Sequence, residues 1–307
     1  MANDVLGPYP PSAPLNPEQV FSSVLLAIRS AQNQDSGWGY RGGASWTEPT
    51  AYALLALAAA GETGDAFVPG LAFLERTQRK DGGWSPNASV QQSTWVTALA
   101  VLVLAERPSG PSVQRAVRWL LEQSGRESGY FARFRDWLLG IRAEENLSYS
   151  GWPWFPGTAA WVAPTALTIL AIEKAGRGKP HPAWRERVKS GRQFLMSRMC
   201  SDGGWNHGVT KSLGFESTSY PETTGLALLA LAGDRGLSLG KSLSRAEQLL
   251  ESCRSTEGRS WLEIALLAHG RKPPSEAPAA PAIRSIIDRA LFVLAHAARH
   301  GRNVFLS

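Results

Sequence analysis

Two kinds of apolar segment alternate along the chain. In the first kind nearly every position is apolar: YALLALAAAG follows Ala51, LAVLVLAE follows Ala98, LTILAIEKAG follows Ala166 and LALLALAG follows Gly225. A helix that is apolar all round is buried on every side. The second kind is amphipathic and falls at 17–30, 67–79, 112–123, 183–199 and 244–252. In the first of these, Val20, Val24, Leu25 and Ile28 make a one-sided stripe at helical spacing. Starts rich in Thr, Ser or Pro suit a first helical turn, and Gly61, Gly176 and Gly233 sit where three of the apolar helices should end. No stretch of alternating β-branched residues suggests a sheet. A buried helix alternating with an amphipathic one predicts an all-α fold, an α/α toroid of two concentric rings built from five to six helical hairpins. We expect an N-terminal extension over 1–16, then a single toroid domain over 17–307. It would carry an insertion at 125–158, a linker at 271–282 and a C-terminal helix at 283–300. That helix has Ile283, Ile286, Ile287, Ala290, Leu291, Leu294 and Ala298 on one stripe. It is expected to close the toroid, with membrane or partner docking as the other reading.

Tryptophan marks the joints between these segments. The chain has 12 Trp in 307 residues. Gln32 to Trp38 reads QNQDSGW, Gln78 to Trp84 reads QRKDGGW, Met199 to Trp205 reads MCSDGGW, and Ser150-Gly151-Trp152 keeps only the end. A fully apolar helix follows each, so order and content recur together as an internal repeat. The Gln can cap backbone groups at a helix end, the Asp can accept N–H groups in the turn, and the glycines permit that turn. Trp38, Trp84 and Trp205 are then expected to staple one repeat to the next.

Composition changes little. The chain is 43% apolar and 19% charged, which excludes a disordered polypeptide. The net charge of +6 is spread without a like-charge block, so nucleic acid is not an expected partner. Cys200 and Cys253 cannot build a disulfide framework. Residues 1–14 show no apolar signal core, and no run approaches a membrane span; the expectation is a cytoplasmic protein.

The D-G-G-W turn after a Gln, followed by a helix opening T-A-x-A-L-L-A-L, resembles the repeat of squalene and oxidosqualene cyclases, bacterial class II diterpene cyclases and protein prenyltransferase β subunits. The resemblance covers roughly residues 17–270 and implies the toroid. It also implies an apolar isoprenoid or lipid ligand. Class II cyclases protonate their substrate with an Asp of a D-x-D-D motif just before an inner helix. That motif is absent here; Glu48 and Glu222 hold the corresponding place in two repeats, and Trp95 and Ala163 in the others. Glu222 and Glu48 are therefore the candidate acids, although a carboxylate at a helix N-terminus is also favourable for purely structural reasons. The same two could serve as the separated carboxylates of a glycosidase. The resemblance's metal clusters have no match: D-D-x-x-D is missing, and the zinc ligands of the prenyltransferases lack their Cys. No cofactor and no metal are expected.

The expected ligand-lining residues are aromatics near the inner-helix entrances: Trp46, Trp95, Trp161 and Tyr220. Trp152, Trp154 and Phe155, from the loop preceding the third inner helix, join them. Aromatic faces bind apolar ligands and stabilise cations. Residues 129–142 oppose Phe131, Phe134, Trp137, Leu138 and Ile141 to arginines, which suits a peripheral membrane contact or a lid. Two functions remain open: a terpene cyclase-like enzyme using acid-initiated chemistry on an apolar polyene, or a non-catalytic isoprenoid-binding protein of the same fold. A homo-oligomer or a partner subunit is compatible with either.

Overall fold

Each tryptophan turn solves the same local problem, a buried backbone N–H that needs an acceptor. In the computed structural model, which describes residues 16–105, 110–126, 149–177, 181–212, 215–234, 236–273 and 283–306, the solution recurs four times. The backbone N–H of Trp38, Trp84, Trp152 and Trp205 donates to the hydroxyl of Thr50, Thr97, Thr165 and Thr224, at 2.8–2.9 Å. The four indole N–H groups donate to carbonyls at the end of the preceding outer helix: Ile28, Leu74, Leu120 and Leu195. All four rings are fully buried. Burying a ring of about 150–250 Å² at about 25 cal/mol per Å² stabilises by about 4–6 kcal/mol before side-chain entropy is subtracted. Each Trp thus fixes three things at once: the end of an outer helix, the turn, and the start of an inner helix.

The helices are α1 (Pro17–Ser30), α2 (Thr47–Ala60), α3 (Phe67–Thr77), α4 (Val96–Leu104) and α5 (Pro111–Glu122). Then come α6 (Val162–Ala175), α7 (Pro182–Ser197) and α8 (Pro221–Leu231). α9 (Gly240–Ser252), α10 (Thr256–Ala268) and α11 (Ile286–Arg299) complete the series. Helices α2, α4, α6, α8, α10 and α11 pack each on the next, and α11 returns to α2, so they form a closed inner ring. Outside it, α3, α5, α7 and α9 cover the inner helices, and α1 lies on α11. This is the α/α toroid, with α11 as the closing segment. Inside the ring, Tyr52 of α2 meets Trp261 of α10 at 6.2 Å, and Trp261 meets Phe305 at 5.3 Å. The segment after α11 crosses beneath the ring, where Lys174 of α6 donates to the carbonyl of Val304.

Several expectations change. The Asp role holds, since Asp35, Asp81 and Asp202 each accept the N–H two residues on, at 3.1 Å. The Gln role does not: Gln32 and Gln78 reach forward, donating to the carbonyls of Ala66 and Ser112 at the start of the next outer helix. In the third repeat, which lacks both Gln and Asp, the Ser190 hydroxyl of α7 accepts the Ser150 N–H at 3.0 Å, and Arg187 of the same helix takes over the donor role of the Gln. It donates to the carbonyls of Gln123, Ser150 and Gly151 and lies 3.4 Å over the Trp152 ring. Of the three expected helix-ending glycines, Gly61 alone takes the left-handed conformation, with φ of 82°. Strands occur after all, as three two-residue hairpins: β1 (Trp38–Gly39) with β2 (Ser45–Trp46), β3 (Trp152–Pro153) with β4 (Ala160–Trp161), and β5 (Lys211–Ser212) with β6 (Phe215–Glu216). They are too short to leave an alternating pattern. The amphipathic segment 129–142 and most of the linker 271–282 lie outside the described residues.

The Trp–Thr bond carries a direct test. Replacing Thr97 with Val keeps the shape but leaves the buried Trp84 N–H without its acceptor. We expect a loss of about 1–3 kcal/mol in urea unfolding, against less than about 0.5 kcal/mol for Ser89→Ala at an exposed turn.

Candidate functional site

Because α2, α4, α6 and α8 each follow a repeat turn in the same direction, their N-termini gather at one end of the ring, and the starts of α10 and α11 join them there. Backbone bonds stitch this rim together. The N–H groups of Thr47, Trp95 and Val162 donate to the carbonyls of Pro86, Trp154 and His207, each two residues beyond the next repeat's Trp. The aromatic residues of the rim are the N-caps of the inner helices: Trp46, Trp95, Trp161 and Tyr220 for α2, α4, α6 and α8.

Three carboxylates occupy equivalent places on this rim, the second residue of α2, α8 and α10. They are Glu48, Glu222 and Glu257. Asp288 stands at the third position of α11. Since α8, α10, α11 and α2 are consecutive in the ring, the acids share one arc of the mouth, while α4 and α6 carry Trp95 and Ala163 at the corresponding places. Glu257 feels this company. Desolvation, with the charges of Glu222, Glu48 and Asp288, pushes its carboxyl up to about 7. Its surface is open to water, yet the walls of the mouth surround it, so burial leads and the neighbouring charges add to it. Burial also raises Glu48, while a hydrogen bond from the Tyr40 hydroxyl opposes that rise. The same two carboxylates, after burial, help to hold the Tyr52 phenol above its ordinary range from inside the ring. Ser255 joins the acids on α8 and α10: its hydroxyl caps α10 by accepting from Gly258 N–H at 3.1 Å, and it donates to Glu222 at 3.4 Å. A Cβ on Gly258 would stand 3.0 Å from the Glu222 carboxylate and 2.8 Å from Pro221, so a glycine is what lets these two N-termini approach.

Of the expected residues, the structure brings Glu48 and Glu222 to the mouth and adds Glu257 and Asp288. These two come into view because α10 and α11 are inner helices with acidic first turns. Trp46 lies half-buried, edge-on to Tyr40 at 5.4 Å. Trp95 packs edge-on to Trp154 at 4.7 Å. Trp161 and Tyr220 are exposed, with His207 between them at 5.8 and 5.3 Å. Phe155 is exposed as well. Trp152 is not a lining residue: it is 1% exposed and serves as the third repeat's staple. Phe215, 77% exposed on the β5–β6 hairpin, was not anticipated. Among the described residues, no helix is long and apolar enough to cross a membrane.

With this geometry in place, the comparisons are specific about the fold. No family model matches the chain. A squalene–hopene cyclase of Bradyrhizobium diazoefficiens is 28% identical over 198 residues, 61% of this chain, and a probable squalene–hopene cyclase of Sinorhizobium fredii is 27% identical over 178 residues, 56% of it. The matched stretch spans about a quarter of each relative's own length, 27% and 25%. A type II terpene cyclase from Scytonema, solved with geranylgeranyl dihydroxybenzoate, superposes with a TM-score of 0.55 at 17% identity, over 90% of this chain and 76% of that one. What these likenesses share with the chain is the α/α toroid. A GH8 endo-β-1,4-glucanase from an Achatina fulica gut metagenomic library shares the toroid too, with a TM-score of 0.59 at 14% identity, over 91% of this chain and 98% of that one.

The sign of the Glu257 shift fixes a pH dependence. An unfolded chain releases this proton near the ordinary Glu range, whereas the folded chain keeps it to about 7. Between those values the folded state binds the extra proton, so its contribution to stability is lost as pH rises through that window. Urea midpoints measured from pH 4.5 to 7.5 should show this decline, and Glu257→Gln should flatten it.

Proposed function

We propose that the chain is a terpene cyclase-like protein that binds an isoprenoid or other apolar polyene at the mouth of its toroid and supplies a proton to it from the carboxyl cluster. The observation that carries this reading is the division of the mouth. Acids fill the arc of α8, α10, α11 and α2, and exposed aromatics stand at the starts of α6 and α8. Such a mouth suits a molecule with an apolar body and a reactive, basic end. The relatives named squalene–hopene cyclase and the neighbour solved with a geranylgeranyl substrate point to the same ligand class.

In this reading Glu257 holds the proton near neutral pH, because desolvation, with the charges of Glu222, Glu48 and Asp288 added to it, makes its ionisation costly. Glu48, oriented by Tyr40, and Glu222, oriented by Ser255, stabilise positive charge that develops as the proton moves. Without D-x-D-D, such an acid is suited to an activated polyene rather than a bare alkene. Tyr52, Trp261 and Phe305 form the aromatic floor beneath it, and Trp161, His207 and Tyr220 its exposed wall. Those faces serve a carbocation and a neutral ligand alike.

Incubation with squalene, farnesyl diphosphate and geranylgeranyl diphosphate, followed by mass analysis of the extracts, tests the proposal. The expected result is a cyclised or isomerised product whose yield falls at least about 100-fold in Glu257→Gln. Recovery of all three unchanged, with lipid retained equally by the wild type and the variant, would establish a binding protein instead.

A further inference from the structure

Away from the mouth, the first and last described helices meet at a cluster that the proposed chemistry does not use. Glu18 lies in the first turn of α1, and His296 and His300 lie in the last turn of α11 and at its C-cap. Each offers one ligand atom, and these atoms all lie within 4.8 Å of one another. Histidines four apart stand on one face of a helix, the spacing that lets two imidazoles grip a single ion. Their rings are 4.6 Å apart. Phe21, one turn beyond Glu18, stacks on His296 at 4.3 Å and 28°, which fixes that ring's orientation.

We propose that Glu18, His296 and His300 form a site for a first-row divalent metal ion of the zinc class, which clasps α1 to α11. Two imidazoles and one carboxylate are the donor set that such ions take, and a hard cation such as magnesium avoids it. Tetrahedral ligation with bonds of about 2.0–2.1 Å needs donor atoms about 3.4 Å apart. Glu18 and His300 are exposed, so small side-chain rotations cover the difference. The cation would also sit at the carbonyl end of α11, where the helix dipole favours positive charge. Arg299 does not compete for the place, because its guanidinium is engaged with Glu263 of α10 at 2.8 Å. Three protein ligands leave a fourth position for water. The cluster is at the toroid's periphery rather than in its mouth, so the ion's role is to fasten the outer helix α1 onto the closing helix.

The test uses the full chain, stripped with EDTA and titrated with Zn²⁺ by calorimetry, with thermal unfolding followed in parallel. One ion per chain and a Tm raised by a few degrees are expected. MgCl₂ at the same concentration should leave Tm unchanged. His300→Ala alters an exposed side chain at a helix cap. It should keep the metal-free Tm and weaken zinc binding at least about ten-fold, and Glu18→Gln should also weaken it. His181→Ala, at the start of α7, should bind as the wild type does. Cobalt substitution gives an independent readout, a visible absorption band that disappears in His300→Ala. Zinc uptake identical in the wild type and His300→Ala, or no uptake by the wild type, would overturn the proposal.

Discussion

The architecture hangs on a single backbone donor, the N–H of the tryptophan that closes each turn. It is buried, so it must be satisfied, and in each repeat its acceptor is a threonine hydroxyl in the first turns of the next inner helix. Meeting that demand sets the angle between turn and inner helix. The indole N–H then ties the same residue to the outer helix just finished. Once both bonds are made, the entry of each inner helix is fixed relative to its predecessor, and repetition curves the array into a ring. The third repeat shows which parts are exchangeable: from the neighbouring helix Arg187 supplies the donors that Gln supplies elsewhere and Ser190 an acceptor for a turn N–H, while the Trp–Thr pair is kept.

The mouth follows from the same geometry. A ring of parallel inner helices gathers their N-termini, and so gathers the positive ends of their dipoles and their unpaired N–H groups. A carboxylate there gains from the dipole of its own helix but loses from desolvation and from like neighbours. For Glu257 the losses prevail, because Glu222, Glu48 and Asp288 stand on flanking helices of the same arc. A single acid at one inner helix would be an ordinary capping residue. Spread over α8, α10, α11 and α2, the acids instead add to burial in keeping the Glu257 carboxyl protonated up to about 7.

How much of this was legible in the sequence depends on whether a residue belongs to the repeat. The toroid, the staples Trp38, Trp84 and Trp205, and the placement of Glu48 and Glu222 at inner-helix starts follow from the D-G-G-W and T-A-x-A-L-L-A-L patterns. Helix α10 has no such turn before it, and LEIALLA reads as one more apolar stretch, so Glu257 escaped notice. A signal was present: Thr256-Glu257-Gly258 parallels Thr47-Glu48-Pro49 and Pro221-Glu222-Thr223, with the acid second in each helix. Trp152 misled for the opposite reason. It ends the third copy of the repeat turn, but it sits in a loop crowded with Tyr149, Trp154 and Phe155, and that company suggests a lining role which its burial excludes. The pairing of Glu18 with His296 and His300 was out of reach, because it joins residues almost 280 positions apart.

The comparisons and the site geometry answer different questions. Toroids of this kind accompany both terpene cyclisation and glucan hydrolysis among the structural neighbours, so the double ring itself selects neither. What can select is the residue each inner helix offers at its entrance. Here Glu48, Glu222, Glu257 and Asp288 stand on one side and Trp95 and Ala163 on the other, which sorts the rim into an acidic arc and an uncharged one. In the proposed reading, the acidic arc takes the polar or basic end of the ligand and the exposed aromatics take its apolar body. The depth available to it is set from below, where Tyr52, Trp261 and Phe305 fill the ring. That floor favours a ligand gripped at one end over a long polyene threaded through the toroid, and the length of the preferred substrate is therefore as informative about this fold as its chemistry.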